Sequence, residues 1–210
     1  MKLYQSNGSP NSRRVRIFLA EKGISIAIVP VDLGAKEQFS DAYAAINPRR
    51  VVPTLLLEDG TAIGEVPAIQ HYLEEIHPEP PLFGTSPETR ALVAMWDRRV
   101  EQEGFASVME AVRNAVPGLK SRAIAGPHDY EQIPDLVERS RQRVTNFYAD
   151  FNARLADVAF VAGDRFSVAD ITALVTVDFA TKAAGLPIPD GHAALKRWYD
   201  SVAARASMAA

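Results

Sequence analysis

Over the first 76 residues, the apolar side chains alternate between the spacing of a strand and the spacing of a helix. Lys2–Tyr4 has the pattern of a short strand, and a turn rich in glycine, serine and proline follows it. The apolar positions 15–19 then change to helical spacing, and Gly23 is a typical helix stop. Four more segments follow as a strand, a weaker helix, a strand hairpin and a helix: 26–31, 36–45, 47–63 and 67–76. This order, β-α-β-α-β-β-α, predicts one mixed sheet with helices packed on it.

The composition changes at residues 77–84, where three prolines and a glycine fall within eight positions. Such a stretch is typical of a linker. Beyond it the spacing is helical over four segments: about 87–114, 133–156, 167–184 and 193–206. The pattern predicts an α/β thioredoxin-like N-terminal domain at residues 1–78, a linker at 79–86 and an all-α C-terminal domain at 87–210.

Charge and composition argue against several classes of function. The net charge is −3 and no basic run reaches five residues, so nucleic-acid binding is not expected. No apolar run approaches the roughly 18 residues of a membrane-spanning helix, and the N-terminus lacks the pattern of a secretory signal. We therefore expect a cytoplasmic protein without a membrane partner. The chain has no cysteine and four scattered histidines, so neither disulfides nor a metal site is expected.

The turn after the first strand carries the first candidate chemistry. In thioredoxin-type domains this turn stabilises a thiolate through backbone amides and the dipole of the following helix. Here residues 9–12 read Ser-Pro-Asn-Ser, so the protein could hold the thiolate of a ligand with a serine hydroxyl. A hydrogen bond to a charged group contributes about 1.5–3 kcal/mol, close to the ~2.7 kcal/mol that lowers a thiol pKa by two units. The alternative is a plain turn whose serine caps the helix.

Two later segments could bind an amino-acid or peptide ligand. The Val52-Pro53 bond could be cis, which would let the Val52 backbone pair with an extended peptide; the alternative is an ordinary trans proline at a sheet edge. Glu65 and Val66 precede a helix whose amides attract a carboxylate, while Glu65 would attract an amino group. Together these groups suit the γ-glutamyl end of glutathione, although Glu65 could simply be an exposed acid near a helix start.

In combination, these segments resemble the glutathione S-transferase superfamily over nearly the whole chain. The segments that carry the resemblance are 9–17, 47–55, 65–69 and 161–171, and the first of them is similar to that of serine-type members of a bacterial and fungal subgroup. The last contains Ser167 and Asp170 at the spacing of a helix capping box. The resemblance implies a homodimer that uses glutathione as co-substrate without a metal. It also implies a helical domain that lines the site of a small hydrophobic electrophile.

The resemblance also implies roles for individual residues. It makes Ser9 the thiol-activating hydroxyl, with Ser12 as a fallback and Tyr4 as a distant third. The implied glutathione-binding residues are Gln38, Arg50, Val52, Pro53, Glu65 and Val66.

The chain departs from the family pattern at Val66, where Ser or Thr is usual. Relatives that share the pattern at residues 115–119 can use a bound water in place of the hydroxyl, and Arg113, Asn114 or His128 would then contribute. Two other functions stay open on the same fold: a non-catalytic carrier of glutathione or a hydrophobic ligand, and a glutathione-dependent isomerase or dehalogenase.

Overall fold

The computed structural model describes all 210 residues, and they form two compact units. The first unit contains residues 1–80, 125–129 and 209–210, and the second contains 81–124 and 130–208. None of the helices has the length and apolar character needed to span a bilayer.

The first unit is a four-stranded mixed sheet with helices. Its elements are β1 (Lys2–Gln5), α1 (Pro10–Lys22), β2 (Ala27–Pro30), α2 (Asp41–Ile46), β3 (Thr54–Leu56), β4 (Ala62–Gly64) and α3 (Val66–Ile76). The strand order is β2-β1-β3-β4, with β1 parallel to β2 and antiparallel to β3. This is the predicted β-α-β-α-β-β-α arrangement.

The weaker helix that the sequence predicts over residues 36–45 is in fact two short elements. A 3₁₀ turn covers Glu37–Phe39, and α2 begins only after Ser40. The Ser40 side chain accepts a hydrogen bond from the Tyr43 amide, so it caps α2 and interrupts the helix that periodicity alone suggests.

The strand register brings several chain segments to one edge of the sheet. Tyr4 pairs with Thr54, and Thr54 pairs with Gly64. The turn that leaves β1, the residues that enter β3 and the residues that leave β4 therefore lie at the same edge. Because β2 runs parallel to β1, the segment after β2 starts from this edge as well.

The buried ammonium of Lys22 ties the last turn of α1 to the end of α3. Its Nζ lies 2.5 Å from Glu74 Oε2 and 2.7 Å from each of the carbonyl oxygens of His77 and Pro80. A charge removed from water needs such a full set of acceptors, and here they come from the segment that leaves the first unit.

The second unit is entirely helical. Its helices are α4 (Pro87–Arg99), α5 (Ala106–Ala115), α6 (Asp135–Asp157), α7 (Val168–Ala184) and α8 (Ala193–Ala203). A π-helical segment, Val100–Phe105, joins α4 to α5. The periodicity of the sequence does not predict this change of helix type. Within this segment Gly104 meets α6 closely, because a Cβ there would lie 2.8 Å from the Phe147 ring.

Helix α7 runs through the core of this unit and begins at the predicted capping box. The fully buried Asp170 carboxylate accepts from the Ser167 amide at 3.0 Å and from the Ser167 hydroxyl at 3.1 Å. It also accepts from the Val161 amide and from Trp198 Nε1, both at 2.9 Å. Desolvation raises the pKa of Asp170 to about 6, although the four donors act in the opposite direction.

We predict that Ser167→Ala lowers the free energy of unfolding by about 1 kcal/mol, because a buried capping hydroxyl is lost. Chemical denaturation against wild type measures the change, and Ser25→Ala, at an exposed loop serine, is the matched control. An unchanged midpoint in the Ser167 variant would contradict the assigned role.

We predict that Asp170→Asn removes a specific pH dependence of stability. Because the pKa of Asp170 is raised in the folded state to about 6, the folded protein binds the proton more tightly than the unfolded chain does. This contribution is complete below the unfolded pKa and is lost as pH rises through about 6. The wild-type minus variant difference in unfolding free energy should fall by up to about 3 kcal/mol between pH 4 and 7. Denaturation at fixed temperature across this range measures it, and a flat or rising difference would refute the assignment.

Candidate functional site

The turn between β1 and α1 contains two buried serines, Ser9 at 8% exposure and Ser12 at 0%. Ser9 is the N-cap of α1, and its Oγ accepts from the Ser12 amide at 3.2 Å. The hydroxyl proton of Ser9 is therefore left to donate. Ser12 is fully buried, and its Oγ accepts from the Ser6 amide at 3.2 Å, which holds the turn together. Of the two, Ser9 is the better placed to meet a ligand.

Tyr4 lies on β1 with its ring packed edge-on against Tyr43, at a centroid distance of 6.1 Å. Tyr43, Val31 and Val52 form a small buried cluster, and Tyr4 covers it. The packing gives Tyr4 a structural role that is independent of any ligand.

The loop that enters β3 is held by a buried polar network that the sequence did not reveal. Asn47 Nδ2 donates to the Val51 carbonyl oxygen at 3.1 Å and to Thr54 Oγ1 at 2.8 Å. The Tyr43 hydroxyl donates to the same Val51 oxygen at 2.6 Å. Burial raises the pKa of Tyr43, so this hydroxyl keeps its proton at neutral pH. The network fixes the backbone on both sides of the Val52-Pro53 peptide, which is cis.

Two further candidate residues for glutathione lie in this loop and in the turn before α2. Arg50 has a left-handed backbone, with φ 55°, and its guanidinium makes no hydrogen bond within the chain. Gln38 lies in the 3₁₀ turn before α2, rather than on the second helix where the sequence placed it. It is 4% exposed, and its Oε1 has no hydrogen-bond partner. A buried acceptor without a donor is destabilising, so a ligand amide would improve its surroundings.

The start of α3 has the strained geometry expected at a binding site. Glu65 is the N-cap residue with φ 63°, which is unfavourable for a residue with a side chain. Its carboxylate is exposed and makes no capping bond. The amides of Val66 and Ala68 at the start of the helix therefore have no side-chain cap, while Pro67 contributes no donor.

The three residues that could hold an activating water differ in whether their side chains already make hydrogen bonds within the chain. Arg113 donates to the carbonyl oxygens of Arg122 and Ala123, and burial lowers its pKa. Asn114 donates to the Glu110 carbonyl oxygen at 2.8 Å and accepts from a backbone amide. Both side chains hold the connection between α5 and α6. His128 is exposed, makes no hydrogen bond and belongs to the first unit.

No group of three His, Cys, Asp or Glu side chains is arranged to hold a metal ion. The serine turn, the cis-proline loop and the start of α3 share one sheet edge. These three groups offer a hydroxyl donor, a free peptide edge, and an acid beside a helix N-terminus. Such a set can bind a short peptide that has both an amino and a carboxylate end.

Two protein-family models match this chain. A model described as the N-terminal domain of glutathione S-transferase matches residues 3–81, and one for the C-terminal domain matches residues 134–201. The chain belongs to the glutathione S-transferase family. This confirms the resemblance and the fold class that the sequence predicted.

Individual relatives agree on the family and differ in their activities. Glutathione S-transferase 2 of Saccharomyces cerevisiae is 33% identical over 99% of this chain and 88% of its own length. Maleylacetoacetate isomerase of Pseudomonas aeruginosa is 31% identical over 97% of this chain and 92% of its own. The crystal structure of a glutathione S-transferase domain-containing protein from Marinobacter aquaeolei VT8 has a TM-score of 0.91 at 38% identity, covering 99% of this chain and 100% of that one. The family uses glutathione as a substrate.

We predict that Asn47→Ala loosens the cis-proline loop of this glutathione S-transferase family member. Three side-chain hydrogen bonds are lost, to the Val51 carbonyl oxygen, Thr54 Oγ1 and the Arg49 amide, so the free energy of unfolding should fall by about 1–3 kcal/mol. Amide exchange of residues 50–52 and of Thr54 should accelerate more than that of β1. Asn146→Ala, at an exposed position on α6, is the control. Equal protection of the loop in both variants would show that the network does not hold it.

Proposed function

We propose that this chain is a glutathione S-transferase that binds reduced glutathione at the sheet edge of its first unit and activates the thiol as a thiolate. The observation that carries the proposal is the strand register, which brings the serine turn, the cis-proline loop and the start of α3 to one edge. Family membership makes glutathione the ligand to test first.

The proposed pose places glutathione along this edge in an extended conformation. Glu65 would pair with the γ-glutamyl amino group, and the Val66 amide would bind the adjacent carboxylate at the positive end of α3. The Val52 backbone, beside Pro53, would pair with the cysteinyl unit as an added strand.

At the other end of the tripeptide, the two groups beside the loop would act on the glycyl unit. Arg50 would pair with its carboxylate, and the unpartnered Oε1 of Gln38 would accept a hydrogen bond from the glycyl amide. Both side chains have unused hydrogen-bonding capacity, which supports this half of the pose.

The thiolate would be stabilised mainly by Ser9. Its Oγ already accepts from the helix, which leaves its proton for the sulfur. Such a bond contributes about 1.5–3 kcal/mol, enough to lower a thiol pKa from about 8.5 toward neutrality. Ser12 and Tyr4 are weaker candidates because each has a structural role. His128, through a bound water, is the remaining one.

The second unit would supply the site for a small hydrophobic electrophile, and no metal takes part in the proposed reaction. We expect the chain to act as a cytoplasmic homodimer in detoxification, as is typical of the family. Leu92 and Met95, one turn apart on α4 and each 45% exposed, support a face that a second copy could cover.

Each of two other functions is favoured by one specific observation. Maleylacetoacetate isomerase of Pseudomonas aeruginosa matches nearly the whole chain, which favours an isomerase using the same thiolate. Turnover of maleylacetoacetate without net consumption of glutathione would select it. The loss of the usual hydroxyl at Val66 favours a non-catalytic carrier, for which glutathione would bind without a change in its thiol pKa.

We predict that bound glutathione ionises well below the usual thiol pKa of about 8.5. Ultraviolet difference titration between pH 5 and 9 measures this, because the protein has no cysteine of its own. Ser9→Ala should raise the pKa of the bound thiol by about one to two units, since a charge-stabilising donor is lost.

The rate of glutathione conjugation to an aryl halide, measured for wild type and Ser9→Ala, would test the same loss in the reaction itself. Thr61→Ala, at an exposed hydroxyl on the opposite edge of the hairpin, is the control for the loss of a hydroxyl. Binding with an unshifted thiol would select the carrier, and a Ser9 variant equal to wild type would remove Ser9 from the reaction.

A further inference from the structure

A chain of side-chain hydrogen bonds crosses the start of the serine turn. Arg16 Nη1 donates to Gln5 Oε1 at 2.6 Å, and Gln5 Nε2 donates to Asn7 Oδ1 at 3.0 Å. Gln5 is buried and Asn7 is exposed, so the chain leads from the first helix to the surface of the turn. None of these three residues was singled out from the sequence.

The chemistry of these groups fixes the direction of the chain. A guanidinium can only donate, so the oxygen of the Gln5 amide must face Arg16. The NH₂ of Gln5 then faces Asn7, which must turn its own oxygen toward it. The NH₂ of Asn7 is therefore the outer end, and it makes no hydrogen bond within the chain.

Asn7 lies where its free donor could meet a ligand bound at the serine turn. It lies two residues after the end of β1 and two residues before Ser9, on the turn that faces the shared sheet edge. Successive hydrogen bonds polarise one another, and here the first donor carries a full charge. Arg16 is half-buried, so water screens that charge less than it would at the surface.

We propose that the Asn7 side-chain amide donates a hydrogen bond to the glutathione sulfur, beside the Ser9 hydroxyl. The thiol proton leaves to solvent, and the two donors stabilise the thiolate that remains. Gln5 and Arg16 are positioning residues, since they orient the amide without touching the ligand. This inference rests on the proposed function.

The first test is Asn7→Ala in the full chain. The pKa of the bound glutathione thiol should rise by about one unit or more, because one donor to a charged sulfur is lost. The rate with an aryl halide at pH 6.5 should fall about tenfold. Affinity for S-methylglutathione, which has no ionisable thiol, should change less than twofold. Asn11→Ala is the matched control, since Asn11 lies nearby in the first turn of α1 and its Oδ1 accepts from Arg14 at 3.3 Å.

The second test separates orientation from folding. In Gln5→Glu the carboxylate can still accept from Arg16, but it cannot donate to Asn7. Asn7 would then turn its NH₂ inward, and the thiol pKa should rise as in Asn7→Ala while the melting temperature stays near wild type. Gln5→Met is measured beside it, because it removes the donor to Asn7 without adding a negative charge that would itself raise the thiol pKa.

The outcomes distinguish this inference from the proposed function. If the wild type binds no glutathione, or binds it with an unshifted thiol, the proposed function fails. If the wild-type thiol is shifted and Asn7→Ala leaves it unchanged, Asn7 is not a donor. A loss of affinity for S-methylglutathione equal to the loss of rate would also overturn the inference, because it would assign Asn7 to general binding. The same holds if Asn11→Ala has the effect expected of Asn7→Ala.

Discussion

The site of the first unit depends on the pairing of β1 with a parallel strand on one side and an antiparallel strand on the other. Parallel pairing with β2 requires the crossover through α1, so the end of β1 must lead into a helix N-terminus. Antiparallel pairing with β3 brings the entry of β3 to the same edge, and the β3–β4 hairpin returns the start of α3 there. Two helix N-termini and a free peptide edge thus meet through backbone hydrogen bonds alone, before any side chain is considered. Point substitutions in the site can change its chemistry without removing this arrangement.

Features with local causes could be predicted from the sequence. Periodicity gave the strand and helix order, Gly23 ends α1 with φ 64°, and the Ser167–Asp170 spacing forms the expected capping box. Each of these is decided within one turn of chain. The prediction was wrong where a local cap competes with periodicity. Because Ser40 caps α2, the predicted helix is interrupted, and Gln38 lies in a 3₁₀ turn and not in a helix.

The polar contacts that shape the site could not be predicted, because they join residues that only the fold brings together. Tyr43 and Asn47 reach Thr54 across the loop, and Arg16 reaches Gln5 from the next element of the chain. Nothing in the local pattern separates a Gln on a strand that contacts an Arg from one that faces solvent. The two serines also differ in burial in a way that their sequence pattern does not show, since Ser12 is 0% exposed and Ser9 is 8% exposed.

The absence of cysteine changes what the turn must do. A thioredoxin-type domain with its own thiol stabilises a sulfur whose position is fixed by a covalent bond. Here the sulfur would arrive with a ligand, so donors must be held in place before it binds, or their ordering would subtract from the binding free energy. The N-cap bond of Ser9 and the chain from Arg16 to Asn7 both orient donors in this way, with no ligand contact needed. Helix α1 adds its dipole in the same direction. If the proposed roles hold, several modest, pre-oriented donors would replace the fixed geometry of a covalent thiol, and this would be the physical reason that a serine and asparagine turn suits thiolate chemistry on this fold.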